Sequence, residues 1–185
     1  NFIEELENRG NANIDANKNK IDSLMNEVDE YIKTNVSLEN DVKVKNDQQE
    51  SLTGAREKLS KLNNLRGKIS QKVSTITKEH KFFTENTVCP TCQQDIEEEF
   101  RVNRISDAQN KAKELKEGYE ELETTIKFEQ ERERQFNSLT KEITKLTHDI
   151  SQNNTRISLN QRQIRDLEHE IQTITSNLQN RNTEH

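Results

Sequence analysis

Apolar residues recur every seven positions along most of the chain, in stripes on either side of its midpoint. In the first half, one stripe lies at Ile14, Ile21, Val28 and Val42. In the second half, the longest stripe lies at Ala108, Leu115, Leu122, Phe136, Ile143, Ile150, Ile157, Ile164, Ile171 and Leu178. Companion stripes three residues away complete the a/d seam that is typical of a coiled coil. No useful stretch alternates apolar and polar residues, so the pattern predicts an all-α chain with essentially no β-sheet.

The phase of the apolar pattern shifts once in each half, around 52–62 and around 126–136. If the chain folds back at 90–91, position 55 lies opposite 126 and position 45 lies opposite 136, so that the two shifts overlap. Matching shifts are expected of two helices that pack against each other. We therefore predict a long antiparallel intramolecular coiled-coil hairpin, with an ascending arm at 1–83, a tip at 84–94 and a descending arm at 95–185. Asp95 is a suitable N-cap for the second arm, because Glu98 follows it by three residues.

Polar residues interrupt the seam in both halves. Asn35 and Asn153 fall at or near core positions, where polar side chains fix the register of a coiled coil at a cost in stability. Glu129 breaks the long stripe, and we expect Arg132 to lie on a helix face whose opposite charges compensate one another. Gly54 is expected to be a soft point, as is Gly118.

The composition supports extended helices over a globular domain. Only 28% of the residues are hydrophobic, 34% are charged and 4% are aromatic, whereas a compact domain is nearly half apolar. Disorder is disfavoured because the chain has only 1 Pro and 4 Gly. The net charge of −6 argues against a general role in binding DNA phosphates. We find no membrane span and no signal peptide, and two cysteines suit a reducing compartment, so we expect a cytoplasmic location.

Cys89 and Cys92 flank Pro90 and Thr91 at the expected apex, and they are the candidate metal ligands. A Cys-x-x-Cys turn can direct two sulfurs at one ion, and structural zinc takes four ligands in a tetrahedron. The chain has no second cysteine pair, and His80 is expected to pack in the seam. The missing ligands are best supplied by the tip of an identical chain, which gives one Zn²⁺ per two chains in a shared four-thiolate site.

A Cys-Pro-x-Cys turn at the apex of a long coiled coil resembles the zinc hook of the Rad/SbcC-type, SMC-like ATPases. The resemblance rests on Cys89, Pro90 and Cys92 together with the predicted architecture. It implies a hook module that joins two such proteins, each of which acts with a nuclease in DNA double-strand-break repair, end processing and recombination. It also implies partners outside this chain: a nuclease subunit, and DNA that is reached through the parent complex.

The resemblance further implies that ATP and Mg²⁺ bind only to head domains absent from this chain, because the sequence has no phosphate-binding loop. We expect this chain to be a fragment without catalytic residues, whose parent is an ATPase from a bacterium or phage. If the source is eukaryotic, the expected location is the nucleus.

Two other interpretations stay open. A redox-active dithiol would cycle between thiol and disulfide, although such sites usually sit in a βαβ context that is not predicted here. A plain structural spacer would make no use of the cysteines, and any dimer it formed would ignore zinc chelators.

Overall fold

A computed structural model describes residues 1–184, and these are almost wholly helical, as the heptad pattern predicts. The helices are α1 at Phe2–Glu50, α2 at Ala55–Glu85 and α3 at Glu98–Thr183. The described residues contain no β-strand; the sole extended pairing among them is a single bridge between Val88 and Asp95. No helix in this part of the chain is long and apolar enough to cross a membrane.

The chain divides into two compact units. The first unit comprises Asn1–Gln48 and the chain from Leu139 onward, and in it α1 packs antiparallel to the later part of α3. Gly10 approaches Leu178, whereas Lys45 forms an ion pair with Glu142 at 3.0 Å. The buried residues of α1 in this unit follow the predicted stripes and are Ile21, Leu24, Val28 and Asn35.

The second unit, Gln49–Ser138, contains the end of α1, all of α2, the tip and the beginning of α3. Here α2 and α3 are antiparallel, since Arg66 pairs with Glu123 and Glu79 pairs with Arg104. The buried hydrophobic residues of this unit are Ala55, Ala108, Leu122 and Ile126. Ile126 is 1% exposed, so the narrow seam still excludes water at its best-packed point.

The predicted phase shift in the first half coincides with a break in the helix. Turn residues 51–54 separate α1 from α2, and Gly54 has a φ of 85°, which is a left-handed conformation that favours glycine. In the second half, α3 runs through 126–136 without interruption. A groove lined by Leu52, Ala55 and Phe136 brings the two shifts together. The prediction that they face each other is therefore confirmed.

The detailed register differs from the prediction. Lys45 lies against Glu142, and Phe136 instead accepts a hydrogen bond from Gln49, whose side-chain amide donates to the Phe136 carbonyl at 3.0 Å. The predicted pairing of position 45 with position 136 is wrong. Part of the difference arises at the tip, where α2 ends at Glu85 and α3 begins only at Glu98. The connection is therefore centred later than 90–91, and each residue of the ascending side faces a later residue of α3.

Candidate metal-binding tip

The two cysteines lie in the non-helical segment 86–97, which connects α2 to α3. Two short extended stretches flank them and are joined by backbone hydrogen bonds. The Ile96 N–H donates to the Thr87 carbonyl at 2.9 Å, and the Cys89 N–H donates to the Gln94 carbonyl at 2.9 Å. The tip is thus a miniature hairpin, and its closed end carries both sulfurs.

This hairpin overturns one prediction about the start of the second arm. Asp95 was expected to cap the helix, but it forms the bridge with Val88, and α3 begins at Glu98. The physical reason is that the Ile96 N–H is used across the hairpin, which holds residue 95 in an extended conformation. Glu98 and Glu99 occupy the first turn of α3, where carboxylates favour the helix dipole.

A tight turn brings Cys92 back towards Cys89. The Gln93 N–H donates to the Cys89 carbonyl at 2.8 Å, and Gln93 itself has a φ of 59°. No other described non-glycine residue has a positive φ. Pro90 supports the turn because its ring fixes one backbone angle. The reversal is therefore built from one rigid residue and one residue in an unfavourable conformation.

The sulfur of Cys89 lies in a polar setting that favours the thiolate. The backbone N–H groups of Cys92 and Thr91 donate to it and lower the pKa of the Cys89 thiol; the Cys92 side chain acts in the same direction, and slight burial opposes them. Cys89 is half-buried, Cys92 is exposed, and neither forms a disulfide. Since the thiolate is the metal-binding form of cysteine, the turn favours the ligating state of Cys89.

Arg101 fixes the hairpin between the two helices. Its guanidinium donates to the Phe83 carbonyl at 2.9 Å and to both carboxylate oxygens of Glu98, at 3.1 and 2.9 Å. One side chain therefore satisfies a carbonyl at the end of α2 and a carboxylate at the start of α3. Asn86 adds a second cap, because its backbone and side-chain amides both donate to the Phe82 carbonyl.

Aromatic rings pack directly below the hairpin. Phe83 makes edge-to-face contacts with Phe82 and Phe100, at centroid distances of 5.1 and 5.8 Å. The Arg104 guanidinium lies 5.1 Å from the centre of the Phe100 ring. Phe82 and Phe100 remain 37% and 47% exposed. The tip thus has an aromatic base that is only partly covered within one chain.

The donor set fits one half of a tetrahedral zinc site. Within the described residues, no group of three or more His, Cys, Asp or Glu side chains is placed to hold a metal ion. His80 is half-buried and its ring nitrogen lies 3.5 Å from the Gln109 amide. The two sulfurs are the donor type that structural zinc prefers, and they share one turn. A zinc ion held by these sulfurs would need two further ligands, which the described residues do not place beside them.

Sequence reasoning placed Cys89 and Cys92 in the connecting turn, as the structure does, but missed two residues that shape the tip. Arg101 has a weak sequence signal, since it stands three residues after Glu98 at the beginning of a helix. Gln93 has none, because glutamine does not indicate a left-handed backbone. Comparison with known proteins adds no assignment: no family model matches the chain, and no curated protein matches it significantly.

Proposed function

We propose that this chain is a zinc-dependent homodimerisation module, in which Cys89 and Cys92 of two chains together hold one zinc ion. The observation that carries the proposal is a hairpin that presents two sulfurs and backbone donors at the connection between two helices. Zinc bound to four thiolates would close the interface about a two-fold axis. The bound metal would supply cohesion between chains.

The proposal extends to the parent protein through the resemblance to zinc hooks. The parent would be an SMC-like ATPase that acts with a nuclease in DNA double-strand-break repair, and the hook would tether two such molecules. ATP and Mg²⁺ would bind to heads outside this chain. The nuclease subunit, and DNA acted on by the parent complex, would be further partners. In this proposal the fragment is not an enzyme, and it works in the cytoplasm of a bacterial or phage-infected cell.

Native mass spectrometry of the reduced chain tests the proposal. We expect dimers that contain one zinc ion and that dissociate into metal-free monomers when a strong zinc chelator is added. Cys89→Ser or Cys92→Ser should abolish the dimer, because either change halves the thiolates contributed by that chain. Helix content, measured by circular dichroism, should stay the same because the seams lie outside the turn.

Thr91→Ser is the matched control, since it changes a side chain in the same turn but keeps the hydroxyl and the backbone N–H that donate to the Cys89 sulfur. This variant should dimerise and bind zinc as the unmodified chain does. A dimer that survives both chelation and the cysteine substitutions would contradict the proposal. It would favour the interpretation of the chain as a plain structural spacer.

A redox dithiol is the second candidate, and the lowered pKa of the Cys89 thiol favours it as well. This function needs no metal and no second chain. It predicts a monomer with no bound zinc, in which mild oxidation joins Cys89 to Cys92 within one chain. The same mass spectra, taken before and after oxidation, separate the two functions.

A further inference from the structure

Charge is unevenly distributed among the helices, although the whole chain is acidic. In α1, acidic residues outnumber basic ones by twelve to six. In α2 the balance reverses, with eight basic residues against three acidic ones. The net charge of −6 therefore conceals a strongly basic helix in the second unit. Its lysines and arginines form the largest local excess of positive charge that the helices contain.

Three lysines from both helices of the second unit line one groove. Lys68 and Lys72 extend from α2 and Lys111 from α3, around a cavity of about 490 Å³. All three side chains are exposed. None of them forms an ion pair among the described residues. The single carboxylate lining the groove belongs to Glu79, and Arg104 already pairs with it at 3.5 Å.

This concentration of like charge departs from the rest of the helix pairs. Where other charged residues meet across a seam, the signs are opposite, as in Lys45–Glu142, Arg66–Glu123 and Arg56–Glu133. Lysines that share a groove whose one carboxylate is already paired with another residue repel one another and raise the local positive potential. A bound anion would relieve that repulsion. The groove therefore has the electrostatics of an anion-binding surface.

We propose that this lysine groove binds the phosphate backbone of a nucleic acid directly and without sequence preference. Lys68 and Lys72 are one helical turn apart, about 6 Å along the axis, so they can contact neighbouring phosphates of one strand. Gln71 adds a side-chain amide that can donate hydrogen bonds, whereas the Thr75 hydroxyl already donates to the Gln71 backbone carbonyl. Ile76 is the one large apolar side chain of the lining. A protein partner would need an apolar centre to its interface, whereas phosphate contacts need only such cations and donors. This binding is independent of zinc and of the proposed dimer.

Fluorescence anisotropy with a labelled DNA duplex tests the proposal on the full chain in the presence of a zinc chelator. At about 50 mM salt we expect dissociation constants in the micromolar range, as is usual for non-specific binding. The triple variant K68Q/K72Q/K111Q should bind at least tenfold more weakly. The slope of log affinity against log salt should fall by about 2 to 3, because three phosphate contacts are removed.

The matched control is K18Q/K20Q/K43Q, which removes the same charge from exposed lysines of α1 that form no ion pair within the described residues. This variant should keep its affinity within about twofold. The variant K68R/K72R/K111R keeps the charge and should also bind, which guards against a simple effect on folding. Circular dichroism should show equal helix content in all three.

Several outcomes would overturn the proposal. Equal weakening by the groove and control variants would mean that total charge alone determines binding. Loss of binding in the arginine variant would mean that charge in the groove is not the cause. If the unmodified chain does not bind the DNA duplex at about 50 mM salt, the groove is not a nucleic-acid-binding site. A polyglutamate of matched charge that binds as tightly as DNA would point to an acidic protein as the occupant.

Discussion

At the scale of single residues, the tip depends on a backbone conformation that its side chain does not favour. Gln93 has a φ of 59°, and the left-handed region costs an ordinary residue roughly 1–2 kcal/mol relative to glycine. The turn still forms because the Gln93 N–H bonds to the Cys89 carbonyl and the flanking stretches are paired. The geometry that brings the sulfurs together therefore stores a small amount of strain.

Replacing Gln93 by Gly should stabilise the tip. Relief of the strain should outweigh the greater freedom of glycine in the unfolded chain, which leaves a gain of up to about 1 kcal/mol. Hydrogen exchange of the Cys89 and Ile96 amides measures this gain in stability. A gain of about 1 kcal/mol should slow exchange by up to about fivefold. Gln94→Gly is the control: residue 94 has no positive φ, so the same change there should speed exchange. Faster exchange in Gln93→Gly would show that the turn carries no strain.

A buried ion pair compensates for the gap in the apolar stripe at Glu129. Glu129 is 5% exposed, and its carboxylate accepts two hydrogen bonds from Arg132, at 3.1 and 2.9 Å. The same guanidinium donates to the Ser51 carbonyl at 3.0 Å, where α1 has just ended. The predicted compensation of charge around Arg132 is confirmed, and Arg132 also satisfies a carbonyl at the helix break.

Substitution of Arg132 alone should be strongly destabilising. Arg132→Leu leaves the Glu129 charge buried without a partner, which typically costs about 3 kcal/mol or more. Glu129→Leu with Arg132→Leu should recover most of that loss, because an apolar pair suits the seam and Ser51 is an exposed residue. Urea denaturation of both variants measures the difference. A double variant no more stable than Arg132→Leu would contradict this account.

At the scale of helices, the same change of phase has two structural outcomes. Between α1 and α2 the helix breaks at 51–54, whereas α3 continues through 126–136. Gly54 makes the break possible because it adopts a φ of 85°. The facing stretch of α3 has no glycine, and there the seam accepts the buried pair of Glu129 and Arg132. A shift in the apolar repeat thus predicts where a coiled coil changes, but not which helix breaks.

Two glycines should respond in opposite ways to replacement by alanine. Gly118 lies inside α3 with nothing within 4 Å of an added Cβ, so Gly118→Ala should raise the free energy of unfolding by about 1 kcal/mol. Gly54 also has open space around it, but its φ of 85° disfavours any Cβ. Gly54→Ala should therefore lower stability by about 1 kcal/mol. Thermal and urea denaturation of the two variants measure the direction of each change in the free energy of unfolding. A Gly54→Ala variant that is more stable than the unmodified chain would mean that α1 and α2 can form one continuous helix.

At the scale of the whole molecule, contacts between distant parts of the chain set the register within each unit. In the first unit, Asn35 is 6% exposed and donates to the Asn154 side-chain carbonyl at 2.9 Å. The Asn153 amide donates back to Asn35 at 2.9 Å. Sliding either helix by one heptad would separate the buried Asn35 amide from both of these partners. This hydrogen-bond network supports the expectation that asparagines in the seam fix the register.

Replacing Asn35 and Asn153 together by Leu should raise stability and lower specificity. The apolar pair gains burial, but it no longer penalises other registers or pairing between chains. With zinc removed, we expect the variant to show mixed oligomers by size-exclusion chromatography with light scattering, and we expect the unmodified chain to be a monomer. Asn160→Leu is the control, because Asn160 donates to the exposed Glu27 carboxylate and lacks an asparagine partner. A variant that remains wholly monomeric would show that the asparagines do not select the register.

The sequence by itself determined the helical class, the seam residues and the position of the cysteines in a turn. Heptad spacing and proline act locally, so a single chain displays them directly. Only the tertiary structure decided the register, the donors that face the Cys89 sulfur, the bond from Arg132 to Ser51 and the lysine groove. A repeating seam looks the same after a slide of one heptad, so the repeat alone cannot choose between registers. That choice depends on where the connection bends and on which polar groups find partners across it.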